Sequence, residues 1–282
     1  MISVVIPAYN EEEAIGAALD ELIEVLEGQI YEIIVVDDGS TDNTAKTVQE
    51  KNVKLIQHPC NKGYGAALKT GIDHASGERI LITDADGTYP NKEIPRLLEH
   101  VDQYDMVVGS RTGKDVNIQL YRRPAKWFLS RLANYLSGTK IPDLNSGMRI
   151  FRKEDAKKFF NILPSGFSFT TTITLAYLSN DMLIKYIPID YYERQGRSKI
   201  NPFKDGFNFI LLIVRTITYF NPLKVFLPIG FGLFVMAALV FAYSLLMLEK
   251  VMDIAVIILV VASIQIGLFG LLSDLIVRRS DE

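Results

Sequence analysis

Asp84 and Asp86 stand one residue apart in Ile82-Thr83-Asp84-Ala85-Asp86-Gly87. Two carboxylates at that spacing, just after a β-branched run, can converge on one point, which suits a hard divalent cation bridging the oxygens of a diphosphate. Without the cation the same acids would repel phosphate. Asp-Ala-Asp-Gly also reads as a plain turn, with Asp and Gly serving the backbone. Asp37-Asp38-Gly39-Ser40 and Asn61-Lys62-Gly63-Tyr64-Gly65-Ala66-Ala67 tip the balance toward chemistry. Asp38 sits where a carboxylate can accept from a base or a ribose hydroxyl. No Gly-x-Gly-x-x-Gly follows the first apolar run, and no Gly-x-x-x-x-Gly-Lys-Ser/Thr occurs anywhere. A dinucleotide-binding fold and a P-loop kinase are therefore disfavoured.

The elements that position these acids follow from periodicity. Residues 2–7, 33–37, 53–57, 80–84 and 106–109 are short β-branched runs and predict strands. Between them, 12–26 carries Ile15, Leu19, Leu22, Ile23 and Leu26 on one stripe, and 43–50, 64–75 and 91–101 also predict helices. Strand and helix alternating at this spacing imply an α/β fold, a doubly wound, mostly parallel sheet. Ligands of such sheets sit beyond the carboxyl ends of the strands, where the acids of this chain gather. Past Ser110 the regularity weakens, with a basic helix expected over 122–136, a Gly/Asn/Asp loop over 138–147 and helices near Glu154 and Thr170.

Among 282 residues, 30 are Lys or Arg and 33 are Asp or Glu, a formal charge of −3. A nucleic-acid binder would normally carry a basic excess. Charge is unevenly spread: between Val225 and Val277 the only charged residues are Glu249, Lys250, Asp253 and Asp274. Val225 to Leu248, 24 residues without a charge, would reach roughly 36 Å as a helix, enough to cross a bilayer with some tilt. Spans at about 225–248 and 254–277, joined by the tight turn 249–253, form a hairpin with both chain ends on one side. Lys204, Arg215, Lys224, Arg278 and Arg279 flank that side against one Lys in the turn, so the termini and the first domain are expected in the cytoplasm. No signal peptide is apparent at Met1. Residues 1–200 read as the catalytic domain, 201–222 as an amphipathic helix at the membrane surface, and 223–282 as the hairpin. Cys60, the single cysteine, excludes an internal disulfide and reads as a small buried apolar residue. His58, His74 and His100 lack metal-site spacing and receive no role. Trp127 is expected to pack or to rest at the membrane interface.

Taken together, Val4-Val5-Ile6-Pro7-Ala8-Tyr9-Asn10-Glu11, Val36-Asp37-Asp38-Gly39-Ser40-Thr41-Asp42, Asn61-Lys62-Gly63, Asp84-Ala85-Asp86, Gly109-Ser110-Arg111, Asn145-Ser146-Gly147 and Arg194-Gln195-Gly196-Arg197-Ser198-Lys199 resemble the family 2 glycosyltransferases of the GT-A fold. Within that family the likeness is to the polyprenyl-phosphate glycosyltransferases related to dolichyl-phosphate mannose synthase, and it runs along the whole chain. The resemblance implies inverting transfer of one sugar from a nucleotide-diphosphate sugar, GDP-mannose or a UDP-hexose, to polyprenyl or dolichyl phosphate at the cytoplasmic face, with Mg²⁺ or Mn²⁺. By the same resemblance Pro7, Ala8, Tyr9, Glu11 and Asp38 line the base and ribose pocket, with Lys62 and Ser198 also on the donor. Asp84 and Asp86 face the diphosphate and the metal. Many relatives place Leu-Gln after the second Asp, and that Gln assists the metal; here Gly87-Thr88 stand instead, leaving water or Thr88 for the place.

A lipid phosphate is already ionised at neutral pH, so its attack needs cations more than a general base. Arg111 and one of Arg122 and Arg123, Arg123 being preferred, match the arginines that the family places near the acceptor phosphate. Arg194, Ser198 and Lys199 match a loop that brings cations to the leaving group; the basic stretch also suits anionic lipid. Two other functions compete. A processive polysaccharide synthase usually carries Gln-x-x-Arg-Trp, whereas Gln119-Leu120-Tyr121-Arg122-Arg123 lacks the Trp, and two spans make no channel alone. A non-catalytic membrane scaffold has no physical need to gather acids opposite cations. The sequence leaves open a homo-oligomer formed through the hairpins.

Overall fold

The computed structural model describes residues 1–113, 131, 133–135, 138–166, 168–192, 202–247 and 253–280, with backbone alone at 202–209 and 278–280. Two compact units divide the chain, Met1–Ile213 and Val214–Glu282.

The first unit is built on seven strands: β1 (Ile2–Ala8), β2 (Tyr31–Asp37), β3 (Lys54–Gln57), β4 (Arg79–Ile82), β5 (Met106–Ser110), β6 (Arg149–Arg152) and β7 (Ile184–Pro188). Their order is β3-β2-β1-β4-β6-β5-β7. All run parallel except β6, which lies antiparallel to both β4 and β5. β1 is buried from Ser3 to Ala8, as expected of a central strand covered on both faces.

Register sorts the faces, because residues opposite each other across strands point the same way. Val4, Ile33 and Leu81 lie in one row, and Val107 pairs Ile150. These pack in one core with Ile15, Leu19 and Leu22 of α1 (Ile15–Val25) and with Ile94 and Leu97 of α4 (Ile94–Leu98). The alternate row runs Ile34, Val5, Ile82, Arg149, Val108, Tyr186. Helix α3 (Tyr64–His74) covers part of it: a Cβ on Gly71 would lie 2.3 Å from Val5 Cγ1, so only glycine lets the helix sit this close. The short α2 (Thr44–Gln49) completes the βα repeats, and α5 (Lys153–Lys158) and α6 (Phe169–Ser179) follow β6. Lys69 of α3 donates to the carbonyls of Phe160 and Leu163, tying the two halves of this unit together.

The five expected strands are present, with differences at their ends. β4 stops at Ile82, so Asp84 lies in the turn beyond it; Thr83 turns aside to donate its hydroxyl to Asn91 at 3.2 Å. The helix expected over 91–101 is a single 3₁₀ turn, Asn91–Glu93, followed by α4, with Pro95 tolerated in its first turn. β6 and β7 were not expected. The basic helix expected over 122–136 falls mostly outside the described residues, of which Arg131 and Ala133–Tyr135 are helical.

Helix α7 (Pro202–Phe220) precedes α8 (Leu223–Met247) and α9 (Asp253–Ser280). The last two are long and apolar enough to cross a membrane, and only 11% and 6% of their most apolar stretches are buried, which argues against soluble core helices. They meet through small residues, as membrane helices do. Ser263 donates to the carbonyl of Gly230 at 2.9 Å, and a Cβ on Gly270 would fall 2.7 Å from Phe226 Cβ. The connecting turn lies outside the described residues.

Candidate active site

Because β6 is reversed, the turn that enters it meets the turns that leave β1, β2, β4 and β5 at one edge of the sheet. Two of these turns are laced together. Asp38 N–H donates to Ala8 O at 2.8 Å, Asn10 N–H to Ser40 Oγ at 2.9 Å, Glu11 N–H to Thr44 Oγ1 at 2.8 Å, and Thr41 N–H to Asn10 Oδ1 at 2.8 Å. Asn10 has φ +55, a left-handed conformation that Asn tolerates. The result is a wall carrying Pro7, Ala8, Tyr9 and Glu11.

Asp38, only 2% exposed, holds the next loop in place. Its Oδ1 accepts from Lys62 N–H at 2.9 Å and meets His58 Nδ1 at 2.6 Å; its Oδ2 accepts from Gly63 N–H at 2.8 Å. His58 Nε2 in turn meets Thr70 Oγ1 at 2.9 Å. His58, given no role from the sequence, is thus part of the support for the Lys62 loop. Gly39 has φ +74, and a Cβ there would lie 2.6 Å from the carbonyl carbon of Cys60. Cys60 is exposed and not buried as expected: it lies in the loop after β3, where its backbone passes against Gly39.

At the acid turn, Tyr64 donates its hydroxyl to Asp84 Oδ1 at 2.9 Å. Burial, with Asp84 beside it, pushes the Tyr64 hydroxyl well above its ordinary pKa, so it stays a donor. Gly147 lies against the same carboxylate, where a Cβ would stand 2.7 Å from Oδ2. Asp86 Oδ1 accepts from the Thr88 hydroxyl at 2.6 Å and the Thr88 amide at 3.1 Å. Thr88 therefore orients Asp86. Among the described residues no group of three or more His, Cys, Asp or Glu side chains is arranged for a metal. A pair of carboxylates in a cradle cleared of side chain by Gly147 fits an ion that takes its remaining oxygens from phosphates and water, as Mg²⁺ and Mn²⁺ do.

The cation opposite is Arg111. Its Nε and a terminal nitrogen donate to Asp143 Oδ2 and Oδ1 at 2.7 and 2.8 Å, and its amide donates to the same carboxylate at 3.0 Å. Asp143 is 2% exposed. Burial works against the Arg111 charge, but Tyr89 and Asp143 more than offset it and hold the pKa well above the ordinary value. The guanidinium stacks over Tyr191 at 5.1 Å, and Tyr191 meets Tyr89 edge-on at 5.2 Å. Tyr89 in turn accepts from Gly147 N–H at 2.6 Å. Acids and cation thus share one support. The chain leaves this point as Tyr192, whose amide donates to Thr88 O at 3.0 Å.

The structure brings together Pro7, Ala8, Tyr9, Glu11, Asp38, Lys62, Asp84, Asp86 and Arg111. Arg122, Arg123, Trp127, Arg194, Ser198 and Lys199 lie outside the described residues. Tyr64, Tyr89, Asp143 and Tyr191 carry no sequence signal of their own, although Tyr64 and Gly147 sit inside motifs already singled out.

Residues 3–160 match the model of glycosyl transferase family 2, and residues 221–278 that of the GtrB C-terminal hairpin. The chain belongs to glycosyl transferase family 2. It is a glycosyltransferase, and its fold is that of the GT-A members. Family 2 relatives include the low-salt glycan biosynthesis hexosyltransferase Agl6 of Haloferax volcanii, 33% identical over 86% of this chain and 60% of its own length. The dolichyl-phosphate hexose transferase of the same organism is 32% identical over 73% of this chain and 89% of that one. Among solved structures, glucosyl-3-phosphoglycerate synthase from Mycobacterium tuberculosis in complex with Mn²⁺, uridine diphosphate and phosphoglyceric acid superposes with a TM-score of 0.64 at 20% identity, covering 77% of this chain and 78% of that one.

Proposed function

We propose that the chain transfers one sugar from a nucleotide-diphosphate sugar, GDP-mannose or a UDP-hexose, to polyprenyl or dolichyl phosphate at the cytoplasmic face of a membrane, inverting the anomeric carbon. One observation carries this reading: Tyr89 and Gly147 join the Asp84/Asp86 turn to Arg111 in a chain that ends in two membrane-length helices. The naming of one relative as a dolichyl-phosphate hexose transferase supports the acceptor, and the family hairpin supports membrane association.

In this reading an ionised phosphate oxygen of the acceptor attacks the anomeric carbon, the bond from that carbon to the diphosphate oxygen breaks, and the nucleoside diphosphate leaves with the electron pair. Pro7, Ala8, Tyr9 and Glu11 line the base and ribose, while Asp38 keeps the Lys62 loop in place beside them. Asp84 and Asp86 are the residues that would hold Mg²⁺ or Mn²⁺, and the ion would supply charge neutralisation for the leaving diphosphate. Arg111 has five N–H donors, and Asp143 fixes its fork by taking two; the rest of that fork suits phosphate oxygens. Arg123, Arg194, Ser198 and Lys199 complete the positive side. Domain limits of 1–200, 201–222 and 223–282 with cytoplasmic termini belong to the same proposal.

The test uses the detergent-solubilised full chain with Mn²⁺, polyprenyl phosphate and a panel of radiolabelled nucleotide sugars. Label extracted into the organic phase from one donor, one sugar per lipid, and lost in Asp86→Ala, is the expected result. Water-soluble polymer would favour a processive synthase. Absence of transfer from every donor would favour a scaffold.

A further inference from the structure

Among the described residues Arg149 is the largest fully buried side chain, at 0% exposure, and none of its hydrogen-bond partners there is a carboxylate. Its Nε and one terminal nitrogen donate to the carbonyl of Ser146. The other terminal nitrogen donates to Thr170 O and Thr174 Oγ1, each at 3.0 Å, and reaches Met106 Sδ at 3.8 Å. A buried charge held by neutral acceptors alone is expensive, and a leucine in its place on the sheet row would bury more cheaply. Such a residue persists where the site gains what stability loses.

What the site gains is visible in the turn that Arg149 grips. Asp143 at its start holds Arg111. Asn145 accepts from the Thr171 hydroxyl, Ser146 donates to Gly109 O, and Gly147 at its end lies against Asp84. Only the flat fork of an arginine reaches the turn, helix α6 and strand β5 at once; a lysine offers three donors from one point. The charged and titratable groups in electrostatic reach of the guanidinium include Tyr64, Tyr89, Asp143, Tyr177 and Tyr186, the first three of which belong to the candidate site or its support.

We propose that Arg149 is a positioning residue for sugar transfer, clamping the Asp143–Gly147 turn to α6 so that Asp84 and Arg111 keep their mutual placement. The inference rests on the transferase reading above. Misplacement of reacting groups by about 1 Å costs on the order of 10²-fold in rate while leaving substrate binding largely intact.

The experiment compares the full chain with Arg149→Lys, Thr174→Val and the pair Arg149→Lys with Asp143→Asn. It reads kcat, the KM for the donor, Mn²⁺-dependent binding of the nucleoside diphosphate, and thermal unfolding. Arg149→Lys is expected to lower kcat by about 10²-fold with the donor KM and nucleotide binding within about threefold of wild type, and Asp143→Asn is expected to add little to it, because both act through one turn. Thr174→Val removes one acceptor and is expected to lower kcat several-fold at unchanged KM; it decides the matter if Arg149→Lys does not fold. Wild-type kcat in Arg149→Lys or Thr174→Val overturns the proposal, as does a loss that merely follows the unfolded fraction and vanishes on cooling. A wild-type chain that transfers no sugar overturns the transferase reading itself, whereas an active wild type beside an equally active Arg149→Lys overturns only this inference.

Discussion

The hydroxyl of Tyr64, the first residue of α3, donates to Asp84 Oδ1 at 2.9 Å across the mouth of the sheet. In the proposed reading that carboxylate serves a metal and a diphosphate, and the phenol sets its angle. Removing the hydroxyl in Tyr64→Phe should therefore lower transfer about 10- to 100-fold. A shift of the Mn²⁺ titration of activity to higher metal concentration would separate this from a loss of fold.

Gly147 and Gly65 offer a contrast between activity and stability. A Cβ on Gly147 would sit 2.7 Å from Asp84 Oδ2, whereas one on Gly65 would sit 2.2 Å from Pro164 O. The carboxylate can turn away and the backbone cannot. Gly147→Ala should lose at least about tenfold in transfer with a small change in unfolding temperature, and Gly65→Ala should lower the unfolding temperature by several degrees. Calorimetry and transfer rates on both variants test the pattern, which a uniform effect would sink.

Breaking the Arg111–Asp143 pair leaves a mostly buried cation without its counter-ion. Asp143→Asn should cost about 3 kcal/mol, on the order of a 10 °C fall in unfolding temperature for a unit of this size. An unfolding temperature equal to wild type would mean that Arg111 does not depend on Asp143.

Buried phenols set the alkaline limit of stability. Burial pushes Tyr64, Tyr89, Tyr177 and Tyr186 above the ordinary pKa of 10.0. Above that pH the unfolded chain loses phenolic protons that the folded chain keeps, so the unfolded state binds fewer protons and stability falls as pH rises. The unfolding temperature should be flat in this respect below about pH 9 and decline beyond pH 10. Tyr177→Phe should soften the decline; because its hydroxyl is buried with no partner among the described residues, the variant should be no less stable than wild type at neutral pH.

Much of the sheet was legible because β1, β2 and β4 are apolar runs with acids at or within three residues of their ends, and the acids mark the edge where ligands of such sheets gather. β6 was not, since Arg149-Ile150-Phe151-Arg152 puts charge at both ends of a four-residue strand and the rule that arginine lies outside hides it. β7, Ile184-Lys185-Tyr186-Ile187-Pro188, is an edge strand closed by a proline. Arg111 could be read as a site cation, but its partner Asp143, across 32 positions, left no local trace. The same holds for Asp38: its sequence neighbourhood names an acid at a strand end, while its three bonds to Lys62, Gly63 and His58 exist only once β2 and the loop after β3 are side by side.

The Arg111–Asp143 pair also closes a long excursion of the chain, pinning its first and last residues together at the sheet edge. Entropy of closure grows slowly with the length enclosed, roughly 0.6 kcal/mol for each doubling. A change in the number of residues between the two therefore alters the closure entropy little, and the ion pair fixes where the two ends stand. In the proposed reading that stretch of sequence carries the arginines for the acceptor, so what the enzyme accepts can be changed there while the carboxylates that serve the donor keep their supports.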